Sequence, residues 1–459
     1  TQDITLTVEN GVEIGGVIKK DMTLYPNVHY IVTKNLAIPE GVTLTIKPGT
    51  KLEFKGTSFT NEGTINAVGK PDSMIVLEGF GKSSSSGYGQ DHIDLTGFSF
   101  TVLMNSWIYT FYNGGNNNII EYNNILDLEG YNNRCNFLYN AVGGTTASYV
   151  DVKNCNLTNN YHGFGIVSFN LRGMHSSNIF SNNNNLSDAC IGEGPKVFTT
   201  DTPNYFGSAK EATVRKGILD INNNFGTTEY DLSNMLTRPN AEAHGVVWKV
   251  VVDGYDAQDE FDMLPPLGVG KHKFEVYFNR PMRTSVTPMV AMGVRPPYTQ
   301  IPIAEEGTWS ADSLIYTAYL TITGKTGADG LNRIYVDGAK DDEGFEIPYE
   351  NSRFNVNVQA AGSLSTGFMG EAGLGKVTLS WNDVQNSFDD FLGYNLYRYT
   401  DKGDTIKVNK QLLDNETLEY VDYDVVPGTT YCYQYKVITT DLKETDPSNV
   451  VAVTPMTST

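Results

Sequence analysis

Cysteine and histidine are scarce in this 459-residue chain, with four and six residues in all. Four cysteines are too few for a disulfide framework at this length, and no Cys/His spacing suits zinc. Cys135, Cys155 and Cys190 fall in one Asn-rich stretch, where stacked buried thiols are expected, and Cys432 stands apart. Basic charge is scarce too. The 33 Lys and Arg face 53 Asp and Glu, a formal net charge of −20. That balance argues against nucleic acid or an anionic membrane as partner, because phosphate binding needs clustered cations, and it disfavours an acidic polysaccharide unless a local basic patch or calcium intervenes. No apolar run of 18 or more residues is present, so no membrane insertion is expected in this segment. There is no long amphipathic helix, no phosphate-cradling glycine loop and no Gly-x-Ser-x-Gly elbow. A leader-like segment is also missing, which leaves a cytosolic chain or a trimmed export product, and the module order described below favours export.

What the chain does carry is strand and turn material. With 45 glycines, 27 tyrosines and 21 phenylalanines it reads as all-β, and at about 150 residues per domain its length implies roughly three domains. Between Asn113 and Asn185 lie 20 asparagines in 73 residues. They recur at matching points of a phrase. Ile120–Ile125, Val152–Leu157 and Met174–Ile179 align, with Asn124, Asn156 and Asn178 in one column at spacings of 32 and 22 residues. Apolar residues interleave at strand-like spacing, which excludes a disordered tract. Stacked coils place equivalent residues about 4.8 Å apart, so Asn side chains can bond along the stack, and Asn tolerates the left-handed corners of such coils.

The phrases Ala37–Ile46, Lys47–Phe54, Gly63–Gly69 and Pro71–Leu77 are short alternating strands closed by Gly or Pro. They resemble the opening coils of right-handed parallel β-helix proteins found in many secreted bacterial polypeptides, polysaccharide lyases and surface proteins among them. Asn204–Gly207 resembles a turn that closes such helices, and Glu211–Tyr230 is expected to cap the end. After a polar linker, Lys273–Met282, Trp309–Thr323 and Ile334–Asp341 resemble an Ig-like sandwich of bacterial surface proteins. A Gly/Ser/Ala-rich stretch follows. Val377–Trp381, Leu392–Arg398, Val426–Val437 and Asn449–Pro455 then resemble strands B, C, F and G of a fibronectin type III domain, with Trp381 in its core and Tyr431 at its tyrosine corner. The expected division is a β-helix with its cap over 1–238, an Ig-like sandwich over 246–360 and a fibronectin type III sandwich over 370–457.

The β-helix resemblance implies a search for lyase or hydrolase residues. Polygalacturonases carry an aspartate pair and Gly-His-Gly; this chain has only Tyr161-His-Gly-Phe164, with no aspartate pair in the preceding coil, which counts against hydrolysis. A lyase needs a base opposite a carboxylate, for which Asp151, Lys153, Arg172, His175 and Asp188 are the weak candidates. Trp107, Tyr109, Tyr112, Tyr131, Tyr161 and His162 are the candidates for carbohydrate binding, since aromatic faces stack on sugar C–H edges. Asp253, Asp256, Asp259, Asp341 and Asp342 are weak candidates for calcium; no cofactor is otherwise required. The expected function is a secreted or cell-surface protein, non-catalytic, that binds a polysaccharide or glycan through the β-helix, with the sandwiches as spacers. A lyase or glycoside hydrolase is the alternative, and a structural stalk or an adhesin that binds another surface protein is the third reading.

Overall fold

The computed structural model describes residues 11–81, 92–142, 150–162, 169–170, 174–180, 186–187, 197–198, 202–216, 218–219, 221, 229–324, 326, 328–360, 367–385, 388, 390–400, 403, 405–445 and 447–457. Its N-terminal part is a parallel β-solenoid of about six turns. One sheet runs the length of the solenoid and joins Val12–Val17, His29–Ile38, Lys51–Phe54, Ile75–Glu78, Thr101–Met104, Ile119–Glu121, Asn136–Leu138, Asn156–Thr158 and Asn178–Phe180, each parallel to the next. A second sheet joins His92–Asp94, Trp107–Tyr112, Asn124–Asn133, Ala141–Val142 and Tyr161–His162. The far end of Asn124–Asn133 turns onto a third sheet and pairs with Val150–Lys153, which pairs in turn with Met174–His175.

Parallel stacking in register puts like residues on top of one another, so each inward column becomes a continuous apolar stripe. In the long sheet Leu103, Ile120, Phe137, Leu157 and Ile179 form that column, none more than 2% exposed. In earlier coils Phe54 stacks on Phe80 with ring centroids 3.8 Å apart.

From Thr101–Met104 onward, five strands of this sheet follow a corner in the left-handed region, and the first four also end on one. On the entry side these are Phe100, Asn117, Arg134, Asn154 and Ser176, and on the exit side Asn105, Tyr122, Tyr139 and Asn159, with φ between 49° and 57°. Such a corner points its following backbone N–H along the stack, where water cannot reach. The next coil satisfies it. Ser106 N donates to Asn123 Oδ1 at 2.9 Å, Asn123 N to Asn140 Oδ1 at 3.0 Å and Asn140 N to Asn160 Oδ1 at 3.0 Å. The amides return the favour: Asn140 Nδ2 donates to the Ile120 carbonyl at 2.8 Å. On the entry side Thr101 N donates to Asn118 Oδ1, Cys135 N to Cys155 Sγ, Cys155 N to Ser177 Oγ and Ser177 N to Asn204 Oδ1. Cys135 and Cys155 are therefore buried free thiols within this ladder; Cys190 lies outside the described residues.

The register corrects the alignment of the repeat. Asn156 and Asn178 are partners, but their column continues to Asn136 and Ile119, whereas Asn124 belongs to the second sheet beside Trp107 and Ala141. A whole coil lies inside the 32-residue interval. The real steps are 17, 20 and 22 residues. Asparagine occupies both corners and the strand between, so an alignment on Asn alone can slip from one column to another.

Asn204–Gly207 adds a further rung: Tyr205 bridges to Asn178, and Tyr205 N donates to the Ser177 carbonyl at 3.0 Å. The segment expected to cap the end carries a helix at Glu211–Arg215 but also extends the stack, since Ile218–Leu219 pairs parallel with Leu186–Ser187 and Glu229–Tyr230 with Val197–Phe198.

Beyond the solenoid the sheets are antiparallel. A five-stranded sheet built on Val247–Val252, Gly270–Phe278 and Ile315–Ile322 faces a four-stranded sheet built on Met289–Gly293, Gly330–Asp337 and Asn355–Val358. The last sandwich has a three-stranded sheet (Met369–Gly373, Lys376–Ser380, Glu419–Asp422) and a four-stranded sheet centred on Phe391–Tyr399 and Tyr431–Thr439. This is the A-B-E and C′-C-F-G arrangement of a fibronectin type III domain. Trp381 is 4% exposed against Tyr394 and Tyr435, and the Tyr431 hydroxyl accepts the Val426 N–H at 3.0 Å, which is a tyrosine corner. The buried Arg398 pairs with Asp422 at 2.6 Å, and Tyr433 donates to the same carboxylate at 3.0 Å.

Asn140→Ala is expected to destabilise the solenoid by about 3 kcal/mol, because the buried Asn123 N–H and Ile120 carbonyl would both lose their partners. Urea unfolding checks this, and a change under about 0.5 kcal/mol would mean that the ladder is incidental to stability.

Candidate functional site

The weak catalytic candidates come together only in part. Lys153 and His175 are register partners on adjacent coils of the third sheet. Lys153 is exposed, and His175 Nδ1 lies 3.0 Å from Thr202 Oγ1. Asp151 sits two residues before Lys153 and pairs in register with Tyr131. Arg172 and Asp188 lie outside the described residues.

The aromatic candidates divide between two sheets. Trp107, Tyr109 and Tyr112 share one strand of the second sheet, where Ile108 and Phe111 point into the core with no exposed surface. Tyr109 is 52% exposed, and Trp107 and Tyr112 are half-buried. Trp107 begins a column that passes through Asn124 and Ala141 to Tyr161, with His162 beside it. Tyr131 belongs to the third sheet. In register, Tyr112 stands between Asp94 and Glu129 on the neighbouring coils.

The acidic candidates are engaged with protein donors. Asp253 accepts the Lys273 N–H at 2.8 Å and lies 2.6 Å from His272 Nδ1. Asp256 accepts the N–H groups of Gln258 and Asp259, and Asp259 accepts the Ser208 hydroxyl. Asp341 is fully buried and accepts N–H groups from Gly245, Gly344 and Phe345, while Asp342 pairs with Arg280 at 2.9 Å. Among the described residues no three His, Cys, Asp or Glu side chains gather in a way that could hold a metal ion.

The most extensive surface feature is one that no sequence pattern announces. The first sandwich lies along the long solenoid sheet, and burial of the outward residues marks its footprint. Ile119–Glu121 buries only its central residue, whereas all three residues of Asn136–Leu138, Asn156–Thr158 and Asn178–Phe180 are buried. Along that seam the outward asparagines form a third ladder: Asn178 Nδ2 donates to Asn156 Oδ1 at 3.0 Å and Asn156 Nδ2 to Asn136 Oδ1 at 3.1 Å. The same amides then bind the linker, Asn156 to the His244 carbonyl at 2.8 Å and Asn178 to both the carbonyl and the N–H of Asn240.

Aromatic and charged pairs complete the seam. Tyr122, Tyr139 and Tyr349 stack with centroids 4.9 and 4.4 Å apart. Glu343 takes Arg134 from the solenoid and Arg280 from the sandwich. Arg353 lies 4.3 Å over the Phe180 ring, and Ser208 and Gly207 hold Asp259 and Gln258. At the centre His244 is 1% exposed, stacked 3.6 Å from Phe345, with Nδ1 3.5 Å from Asp341 Oδ2. Burial pushes the His244 imidazole below its usual range, although Asp341 opposes the shift. Glu121, facing Glu346 across the seam, is raised first by burial and then by that like charge.

Asp253 and His272 make a pH-dependent contribution. Burial disfavours the His272 cation, but the Asp253 carboxylate and the Gly268 carbonyl outweigh it and raise its pKa above 6.5. Burial likewise opposes the Asp253 charge, which His272 and the Lys273 N–H nevertheless hold below 3.8. The His272 contribution is therefore complete below about pH 6.5 and fades as pH rises through its folded pKa; the Asp253 contribution fades only in acid. The Tm difference between the parent chain and His272→Gln should shrink from about pH 5.5 to about pH 8.5, and a difference that stays constant over that interval would contradict the assignment.

No protein-family model matches the chain, and no curated protein matches its sequence. Among solved structures the chain is similar to the FN1–FN3 domains of chicken CNTN1, at 11% identity over 42% of this chain and 69% of that one, with a TM-score of 0.18. It is also similar to domains A168–A170 of titin, at 9% identity over 50% of this chain and 69% of that one, again with a TM-score of 0.18.

Proposed function

We propose that this chain is a secreted or cell-surface protein of adhesin-like organisation, without catalytic activity, that binds a polysaccharide or glycan on the second solenoid sheet. The division into a solenoid, an Ig-like module and a fibronectin type III module, at the boundaries expected from the sequence, belongs to the same reading. The observation that carries it is the strand Trp107–Tyr112, whose outward aromatics include Tyr109 with half its surface in solvent. A rigid ring on a parallel-sheet lattice loses little entropy when a sugar ring stacks on it, and Asp94, in register with Tyr112 on the neighbouring coil, offers a carboxylate as hydroxyl acceptor. The first sandwich occupies the adjacent long sheet, so it acts here as a brace on the solenoid and not as a free spacer.

Tyr109→Ala is expected to weaken retention on an immobilised polysaccharide by about fivefold, the equivalent of about 1 kcal/mol, with the melting temperature unchanged because the ring is exposed. The measurement is affinity electrophoresis across plant, algal and host polysaccharides. Equal retention of parent and variant on every polymer would remove the site. A polymer cut to small fragments would favour the lyase or hydrolase reading.

A further inference from the structure

The seam leaves two adjoining clefts, of about 360 and 450 Å³, that share Arg238, Trp248 and Lys249. From this geometry we infer a second ligand site, a groove across Trp248 that takes a saccharide bearing a carboxylate, of the uronic-acid class. It stands apart from the Tyr109 surface and does not depend on that reading.

Three observations carry it. The first is that Trp248 sits in a β-bulge. Val247 pairs with Phe278 and Lys249 with Tyr277, which leaves Trp248 as the extra residue between them. A bulge re-aims the side chain it carries, and here the strand gives up one step of pairing to set an indole against the groove. The ring is locked there: Nε1 donates to the Phe278 carbonyl at 3.3 Å, and Tyr205 and Tyr277 meet it at near right angles with centroids 6.2 and 6.1 Å away. A half-buried indole held in this way is a platform for the C–H face of a pyranose ring.

The second observation concerns charge. The carboxylates lining the groove already have donors. Asp256 accepts two backbone N–H groups, Asp259 the Ser208 hydroxyl, Glu260 the Asp256 N–H, and Asp312 the Ser310 hydroxyl and the Leu314 N–H. Of the cations, Lys210 donates to the Asp259 carbonyl at 2.7 Å, and the other two are less engaged. Lys249 Nζ is 3.6 Å from Asp256 and 5.9 Å from the Tyr277 centroid. Arg238 is exposed and forms no ion pair with a described residue, yet it lines both clefts. A guanidinium at the waist of an aromatic groove offers a planar fork that matches a carboxylate in both geometry and charge. The third observation is a buried acceptor in the wall, Gln258 Oε1, which has no hydrogen-bond partner; a sugar hydroxyl or a water carried with it would satisfy that atom.

The test compares two probes on the full chain: an oligo-β-glucuronate, and the same oligomer after carboxyl reduction to the neutral glucan. Titration calorimetry should give about tenfold tighter binding of the acidic oligomer at low salt, and a ratio that narrows as salt screens the contact. Arg238→Gln should bring the ratio close to one without shifting the melting temperature, since that side chain has no described ion-pair partner to lose. Trp248→Phe should weaken both probes. Tyr109→Ala should leave the ratio intact, so failure of the solenoid surface and failure of this groove give separate results. Equal binding of the two probes, an Arg238→Gln ratio equal to that of the parent chain, or no binding of either probe would each overturn the proposal.

Discussion

A left-handed corner that buries its next N–H is the constraint on which the solenoid depends. The strands of the long sheet are only three residues in its later coils, too short to hold a coil by their own pairing. What fixes each coil is that the corner N–H finds an oxygen or sulfur on the coil below, from Asn, Ser or Cys. An unfilled corner would leave a buried donor with no water in reach. The acceptor is thus required at every level, whereas the corner residue itself is free to vary. Phe100, Tyr122, Arg134 and Tyr139 all occupy left-handed corners, a conformation costing such residues roughly 1–2 kcal/mol each. All four offset part of that cost through contacts that the corner geometry makes possible, since each reaches the first sandwich.

That freedom links the ladder to the seam. Corners point side chains outward at regular heights, and the first sandwich meets them at successive levels: Phe345 at Phe100, Tyr349 at Tyr122 and Tyr139, and Glu343 at Arg134. The linker does the same for the outward asparagines. The residues that shape the coil and those that bind the sandwich are therefore one set, divided by which face of the corner they use.

Much of this was legible in the sequence, and the reasons for the rest are physical. The all-β class, the Asn ladder, the buried stacked thiols Cys135 and Cys155, the core Trp381 and the Tyr431 corner each rest on a residue type whose local chemistry admits few alternatives. The coil register was not legible, because Asn serves as corner, ladder acceptor and outward strand residue alike, and the spacing between equivalent residues of adjacent coils varies between 17 and 27 residues. The seam was hidden for a related reason. Tyr122, Arg134 and Asn156 are the residues a solvent-facing coil would also use, and nothing local distinguishes a covered asparagine from a wet one. Trp248 reads as a core residue of a strand until the partner strand shows that it occupies a bulge.

The seam also decides how the molecule answers a pull. Its contacts run from Phe100 to Ser208 over successive coils, a span of about 20–25 Å at strand spacing. A load passed from the first sandwich to the solenoid is shared among bonds at several coils, those of Asn156, Asn178, Arg134 and Ser208 among them. Contacts spread over several levels must all give way before the first sandwich can leave the solenoid, so the brace ties together coils that each hold few backbone bonds.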